Sequence, residues 1–262
     1  TTDMDRLLAE RDQFQPVTTP ELFARLWLGS MPGLISGQSP DRNIFYSSYL
    51  STYVERDVRE LSGSVDALKF NRFVTAVAAR CSQLLNYKAL ADDADIDMPT
   101  AKNWVNILET LGIIFLLHPY SNNVLKRTIK TPKVYFYDTG LVCYLTRWSS
   151  PEVAESGAMS GALLENFTVS EIMKSYQNAG LEPYLYFYRD RDAKEIDVIL
   201  EGDGKLCPLE IKKTATPDKR LTRVFSVMDR SPLQLGTGAV LCMAEQFGAF
   251  DRNNLIVPIW MI

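Results

Sequence analysis

Hydrophobic positions change their spacing several times along this chain, and each change marks an element. Leu22, Phe23, Leu26 and Trp27 recur at helical spacing after Thr19-Pro20-Glu21, with Thr19 as the expected N-cap, Pro20 in the first turn and Gly29 as the stop. Met31-Pro32-Gly33 then turns the chain. Phe45, Tyr49, Leu50, Tyr53, Val54, Val58 and Leu61 predict a helix from about Arg42 to Leu61, with Glu55, Arg56, Asp57, Arg59 and Glu60 as its solvated face. Phe70, Phe73, Val74, Val77 and Cys81 predict the next helix, and Tyr87 to about Asp93 a short one. Asp97 caps a further helix with Pro99 in its first turn; Ala101, Trp104, Val105, Leu108 and Leu111 face inward, and Gly112 ends it. Ile113 to Leu117 and Val134 to Tyr137 read as two strands. The succession predicts a helical segment over residues 1–62 and a winged helix-turn-helix over residues 63–150.

Gly157 and Gly161 bracket a Ser/Pro/Gly-rich connection into a last domain over residues 151–262. Ala162, Val169, Ile172, Met173 and Tyr176 form a helical stripe that contains Glu165, and a carboxylate there needs a metal or a lysine as partner. Tyr184 to Tyr188 reads as a strand. From Glu195 to Lys213, EIDVILEGDGKLCPLEIKK, the period falls to two. Ile196, Val198 and Leu200 take one face and Glu195, Asp197 and Glu201 the other; after a turn at Gly202-Asp203-Gly204, Leu209 and Ile211 oppose Glu210 and Lys212. The pattern brings Asp197, Glu210 and Lys212 to one side of a hairpin. A helix from about Pro217 to Met228, a buried strand at Gly238–Met243 and a last strand at Leu255–Ile262 complete an αβββαβ order, so the fold class is mixed, α+β or α/β.

Composition narrows what these elements can do. With 262 residues and 46% hydrophobic content the chain can pack large cores. No apolar run approaches the ~20 residues that span a bilayer, and Thr1-Thr2-Asp3-Met4-Asp5 opens without a basic, apolar leader. The expected location is cytoplasmic, with no membrane partner. Cys81, Cys143, Cys207 and Cys242 show no paired spacing and His118 is the single histidine, which argues against a zinc site and a cysteine-histidine catalyst. The 28 basic and 32 acidic residues leave a net charge of −4, so any grip on nucleic acid must be local. Lys126, Arg127, Lys130 and Lys133, with no acid between Ser121 and Lys133, are the candidate nucleic-acid contacts. Asp92, Asp93, Asp95 and Asp97 would repel phosphate ahead of the third helix of the module.

Two carboxylates and an ammonium on one hairpin suit metal-assisted phosphodiester hydrolysis. Hard carboxylate oxygens hold Mg²⁺ (or Mn²⁺), the metal acidifies a bound water, and a lysine orients it or offsets charge on phosphate. Asp197, twelve intervening residues and Glu210-Ile211-Lys212 resemble the D…(D/E)XK signature of restriction-endonuclease-like nucleases. The resemblance implies Asp197 and Glu210 as metal ligands, Glu165 as a third acid from the preceding helix, Lys212 as the catalytic amine, the Ile211 carbonyl as a further ligand, and DNA as substrate.

A wider resemblance covers most of the chain after about residue 18. Tyr49 to Val58, Lys133 to Leu141, Gly161 to Phe167 and Glu195 to Lys213 are similar, in that order, to a large prokaryotic family of AAA-type ATPases. There an ATPase domain precedes a winged helix and a restriction-endonuclease-like domain of undefined role. The P-loop pattern Gly-x-x-x-x-Gly-Lys-[Ser/Thr] is absent here, since the single Gly-Lys, Gly204-Lys205, lies in the hairpin turn. The resemblance therefore places ATP in an upstream domain only, with residues 1–62 as the remainder of its lid. It leaves a second reading beside the nuclease: an inactive nuclease-like fold that binds DNA or a protein partner on behalf of the ATPase.

Overall fold

The computed structural model describes residues 15–38, 41–62, 66–120 and 130–262, with backbone alone at 53–55, 57, 59 and 62. The expected stripe positions Tyr53 and Val54 and the outward Glu55, Asp57 and Arg59 therefore lie outside the described side chains. The chain is of mixed α and β content, and it divides into two compact units. One comprises Phe23–Leu116 and Lys133–Phe167; the other comprises Thr1–Leu22, Leu117–Pro132 and Thr168–Ile262.

Helix α1 runs Thr19–Leu28. Its cap is Thr18 rather than Thr19: the Thr18 hydroxyl accepts from the Glu21 N–H at 3.4 Å, and Glu21 Oε2 takes the Thr18 N–H at 2.8 Å. This reciprocal pair satisfies two N–H groups that a helix start leaves over. After α2 (Pro32–Ile35), the expected long helix appears as α3 (Arg42–Ser48, capped by Asp41), a π-helical stretch Tyr49–Val54, and α4 (Glu55–Ser62). Helices α5 (Ala67–Ala78, capped by Asp66), α6 (Tyr87–Ala94, capped by Asn86) and α7 (Met98–Thr110, capped by Asp97) follow, with strand β1 (Gln83–Leu84) between the first two. Phe70 and Phe73 each meet Trp104 edge-on, with ring centroids 5.3 Å apart, which ties α5 to α7 through the apolar stripe read from the sequence.

Strands β2 (Ile114–Leu117) and β3 (Lys133–Phe136) join β1 in a three-stranded sheet of order β1-β3-β2. Helix α8 (Thr139–Leu145) is capped by Asp138 and α9 (Pro151–Ser156) by Ser150. Asp138 also fastens the helices before it. Its Oδ1 accepts from Tyr46 at 2.7 Å and its Oδ2 from the Ser30 N–H at 2.6 Å. Gly140 permits this approach, because a Cβ there would sit 2.5 Å from the Leu28 carbonyl oxygen.

The long helix α10 (Ser160–Asn178) leads into the second sheet. Its strands are β4 (Leu185–Arg189), β5 (Glu195–Gly202), β6 (Lys205–Lys212), β7 (Gln234–Leu235), β8 (Gly238–Cys242), β9 (Gly248–Asp251) and β10 (Asn254–Pro258). They order as β4-β5-β6-β8-β10-β9, with β7 beside β6. Strands β4, β5 and β6 form an antiparallel meander, whereas β8 runs parallel to both β6 and β10. The helix expected from about Pro217 is a 3₁₀ segment, Lys219–Arg230, and it presents Phe225 and Met228 to Ile196, Ile199 and Leu206. The four cysteines are free and buried, as their apolar neighbours implied.

Candidate functional site

The site is built on the β5–β6 hairpin. Gly202 pairs with Lys205, leaving the two-residue loop Asp203-Gly204, and both loop residues have positive φ, 50° and 71°. That geometry matches the right-handed twist of the flanking strands and is why Asp-Gly serves there. The register, with Val198 opposite Leu209, then carries the strands toward Asp197 and Glu210.

On the other side of β5 the alternation breaks. Tyr186 pairs with Ile199 but Tyr188 with Ile196, so three steps on β5 face two on β4. One extra residue lies at Asp197-Val198, a bulge of the kind that re-aims a side chain. Simple period-two reading puts Ile196 with Val198. Instead Ile196 and Ile199, three apart, share one hydrophobic cluster.

Asp197 reaches across to β6. Its Oδ2 accepts the Ile211 N–H at 2.8 Å and the Lys212 ammonium at 3.0 Å. Lys212 Nζ also lies 2.7 Å from Glu210 Oε1, as residues two apart on one strand allow. Both acids are buried, whereas the Lys212 side chain remains 37% exposed. Burial first, then the Asp197 charge, pushes the Glu210 carboxyl up to about 7, with Lys212 opposing. Burial alone would lower the Lys212 ammonium; Asp197 and Glu210 outweigh it and hold it above its ordinary value.

One lysine is thus shared by two acids, and Glu210 Oε2 is buried with no hydrogen-bond partner. A buried carboxylate oxygen left over in this way is costly unless a cation or donor meets it. The donor set, hard carboxylate oxygens, is the one Mg²⁺ and Mn²⁺ prefer, so the pair fits such an ion. Among the described residues no three Asp, Glu, His or Cys side chains gather as a metal-holding group. The hairpin itself offers two.

Glu165 lies in the unit formed by Phe23–Leu116 and Lys133–Phe167. Its Oε1 accepts from Lys133 Nζ at 3.0 Å and from the Tyr135 hydroxyl at 2.6 Å. The partner that its place on the helical stripe demanded is a lysine. Asn166, fully buried, completes the attachment: its side-chain oxygen takes the Phe136 N–H and its amide donates to the Phe136 carbonyl, both at 2.8 Å. Glu165 and Asn166 together fasten α10 to β3.

That arrangement corrects one expected nucleic-acid contact. Lys133 is only 3% exposed and its ammonium is committed to Glu165, so it does not present a surface charge to phosphate. Lys130 is exposed, and Lys126 and Arg127 lie outside the described residues. The acids ahead of α7 have internal partners: Asp92 pairs with Lys88, Asp93 with Arg80 and Asp95 with Lys69, while Asp97 caps the helix.

Three contributors escape a reading by spacing. The Ile211 N–H holds Asp197 through backbone, Tyr135 acts through a contact 30 residues from Glu165, and Asn166 looks like an ordinary helix residue. Glu165-Asn166 as adjacent polar residues inside an apolar stripe is the one signal that could have drawn notice to the last.

Family models match the chain in two stretches. A domain of unknown function, DUF8612, matches residues 19–152, and a second domain of unknown function, DUF4143, matches residues 160–262. An uncharacterised protein of Mycobacterium bovis is 29% identical over 238 residues, covering 90% of this chain and 52% of the relative. An uncharacterised protein of Mycobacterium tuberculosis matches to the same extent. The chain spans about half the length of these curated relatives. No solved structure matches it.

Proposed function

The chain belongs to the DUF8612 family, and we propose that its C-terminal unit is a restriction-endonuclease-like domain that hydrolyses phosphodiester bonds in DNA with Mg²⁺ or Mn²⁺. The observation that carries this reading is the unpartnered, buried Oε2 of Glu210 beside Asp197 and Lys212. Asp197 and Glu210 would hold the metal, which when bound supplies an acidified water and positive charge for the phosphate.

The chain's own groups have separable roles. The Ile211 N–H fixes the Asp197 carboxylate. Lys212, held protonated by two acids, acts as a fixed positive charge toward an anionic phosphate and not as a proton acceptor. Glu165, which the resemblance adds to the metal shell, is tied to Lys133 and Tyr135, so the reading rests on Asp197, Glu210 and Lys212. We read α5 to β3 as the winged helix-turn-helix, with Lys130 and the neighbouring Lys126 and Arg127 as its contacts to DNA. By the same resemblance, the ATPase domain and its ATP belong to the part of the longer relatives that this chain does not cover.

Incubating the chain with linear and circular DNA and Mg²⁺ or Mn²⁺ tests the proposal. Cleavage that disappears in Asp197→Ala and Lys212→Ala supports it; cleavage that persists in both removes the hairpin from the reaction. A second reading has its own observation. Lys212 already bridges both acids at 2.7 and 3.0 Å, and an internal cation in that position favours an inactive fold that serves as a binding module. DNA binding without cleavage, and without metal uptake, would select it.

A further inference from the structure

Lys212 holds the two hairpin acids together, and it does so incompletely. Its Nζ lies 3.0 Å from Asp197 Oδ2 and 2.7 Å from Glu210 Oε1, so a single positive charge stands against two buried carboxylates. Glu210 Oε2 is left buried without a partner. The arrangement retains an excess negative charge, which burial makes costly.

The lysine can leave while its acids stay in place. Lys212 ends β6, and its backbone is held by β8, where Cys242 is its register partner. The Thr214 N–H donates to the Lys212 carbonyl at 2.9 Å. These contacts fix the backbone and leave the long alkyl stem to rotate, and the side chain already reaches the surface. Lys133, deeply buried beside Glu165, lacks that access. Asp197 is fixed independently of the ammonium, because its Oδ2 also accepts the Ile211 N–H at 2.8 Å. The β5–β6 backbone register ends at Val198 and Leu209, so beyond it a carboxylate, and not a ladder bond, joins Asp197 to β6.

Charge matching selects the ligands that can replace this contact. With the ammonium inward, a divalent ion would approach two carboxylates already half neutralised and would meet a cation beside them. With the ammonium outward, two carboxylates match one divalent ion, and the released ammonium matches one phosphodiester. Neither ligand alone settles both halves.

We infer that Lys212 is an autoinhibitory cation: its ammonium stands in for the divalent ion between Asp197 and Glu210 until a DNA phosphodiester draws it outward, so that ion and DNA bind with positive coupling. The inference rests on the nuclease-like reading of the hairpin proposed above. Loss of any positive charge beside the acids raises cation affinity. The deciding quantity is therefore the coupling between the two ligands, which is the same whichever binds first.

The test titrates the full chain with Mn²⁺ by calorimetry at about pH 8, with and without a saturating short DNA duplex whose phosphorothioate linkages resist hydrolysis. Asp197→Asn with the same duplex gives the uptake of the DNA itself. The duplex should tighten Mn²⁺ binding at least about fivefold in the wild-type chain and less than about twofold in Lys212→Met. Without DNA, Lys212→Met should already bind the ion at least about tenfold more tightly than wild type, with circular dichroism unchanged. Equal tightening in the two chains, none in either included, or a DNA-free affinity in Lys212→Met no greater than in wild type, would overturn the inference and leave the ion site standing. Absence of Mn²⁺ binding at about 20 mM in wild type and Lys212→Met alike, with duplex and without, would instead remove the site on which the nuclease-like reading depends, and this inference with it.

Discussion

Two lysines in this molecule sit against carboxylates, one half-buried and two buried, and they are provisioned differently. Lys133 meets one acid, Glu165, together with the Tyr135 hydroxyl, and is 3% exposed. Lys212 meets two acids, is 37% exposed, and leaves one oxygen of Glu210 without a partner. The first group buries its lysine beside a half-buried acid, and it joins a helix to a strand. The second carries an excess negative charge beside an accessible surface. Burial of charge is tolerated in a fold when it is neutralised on the spot; where it is not, as at Glu210, we propose that a cation completes the site.

The largest expected difference is in stability. Lys133→Met removes the buried ammonium from the half-buried Glu165 carboxylate and should cost about 3 kcal/mol in urea unfolding. Lys212→Met should cost only about 1 kcal/mol, because Glu210 can take up a proton near neutral pH instead. Equal costs would erase the distinction between the two groups.

The pH profile separates them next. The Glu210 carboxyl is about 7 in the folded chain against an ordinary 4.5. Between those values the folded state keeps a proton that the unfolded chain gives up, so ionising Glu210 weakens the fold. Stability should therefore fall as pH rises from about 5 to about 8, by up to about 3 kcal/mol. Glu210→Gln should flatten the profile over that window, and urea unfolding at four pH values reads it.

Smaller effects sharpen the contrast further. Tyr135→Phe removes a hydrogen bond to a charged group and should cost about 1.5–2 kcal/mol, without altering any response to divalent ions. Mn²⁺ at about ten times its dissociation constant should raise stability by about 1.4 kcal/mol in the wild-type chain and in Tyr135→Phe, but not in Asp197→Asn. Thermal or urea unfolding with and without the ion measures both.

How much of this was legible in the sequence depends on the range of the interaction. The hairpin was readable because period two, Asp-Gly and E-x-K are local, and local rules place Glu210 and Lys212 on one face whatever the rest of the chain does. The caps at Asp97 and Asp138 follow similar short-range rules. The bulge at Asp197 was not readable, since it depends on how β4 packs against β5. The burial of Lys133 is hidden for the same reason: by sequence it groups with Lys126, Arg127 and Lys130 as surface charge, while the contact that buries it comes from a helix 32 residues later. Glu165 was legible as a carboxylate in need of a partner, but the sequence could not choose between metal and lysine.

The central claim is that Asp197 and Glu210 form an incomplete cation site. Calorimetric titration of the chain with Mn²⁺ tests it most directly, comparing wild type with Asp197→Asn and Glu210→Gln. One-site binding with a dissociation constant of about a millimolar or below at about pH 8, weakened about tenfold at about pH 6 as Glu210 takes its proton and lost in both variants, is the predicted result. Absence of binding at concentrations of about 20 mM, or binding that both variants retain, would contradict the account.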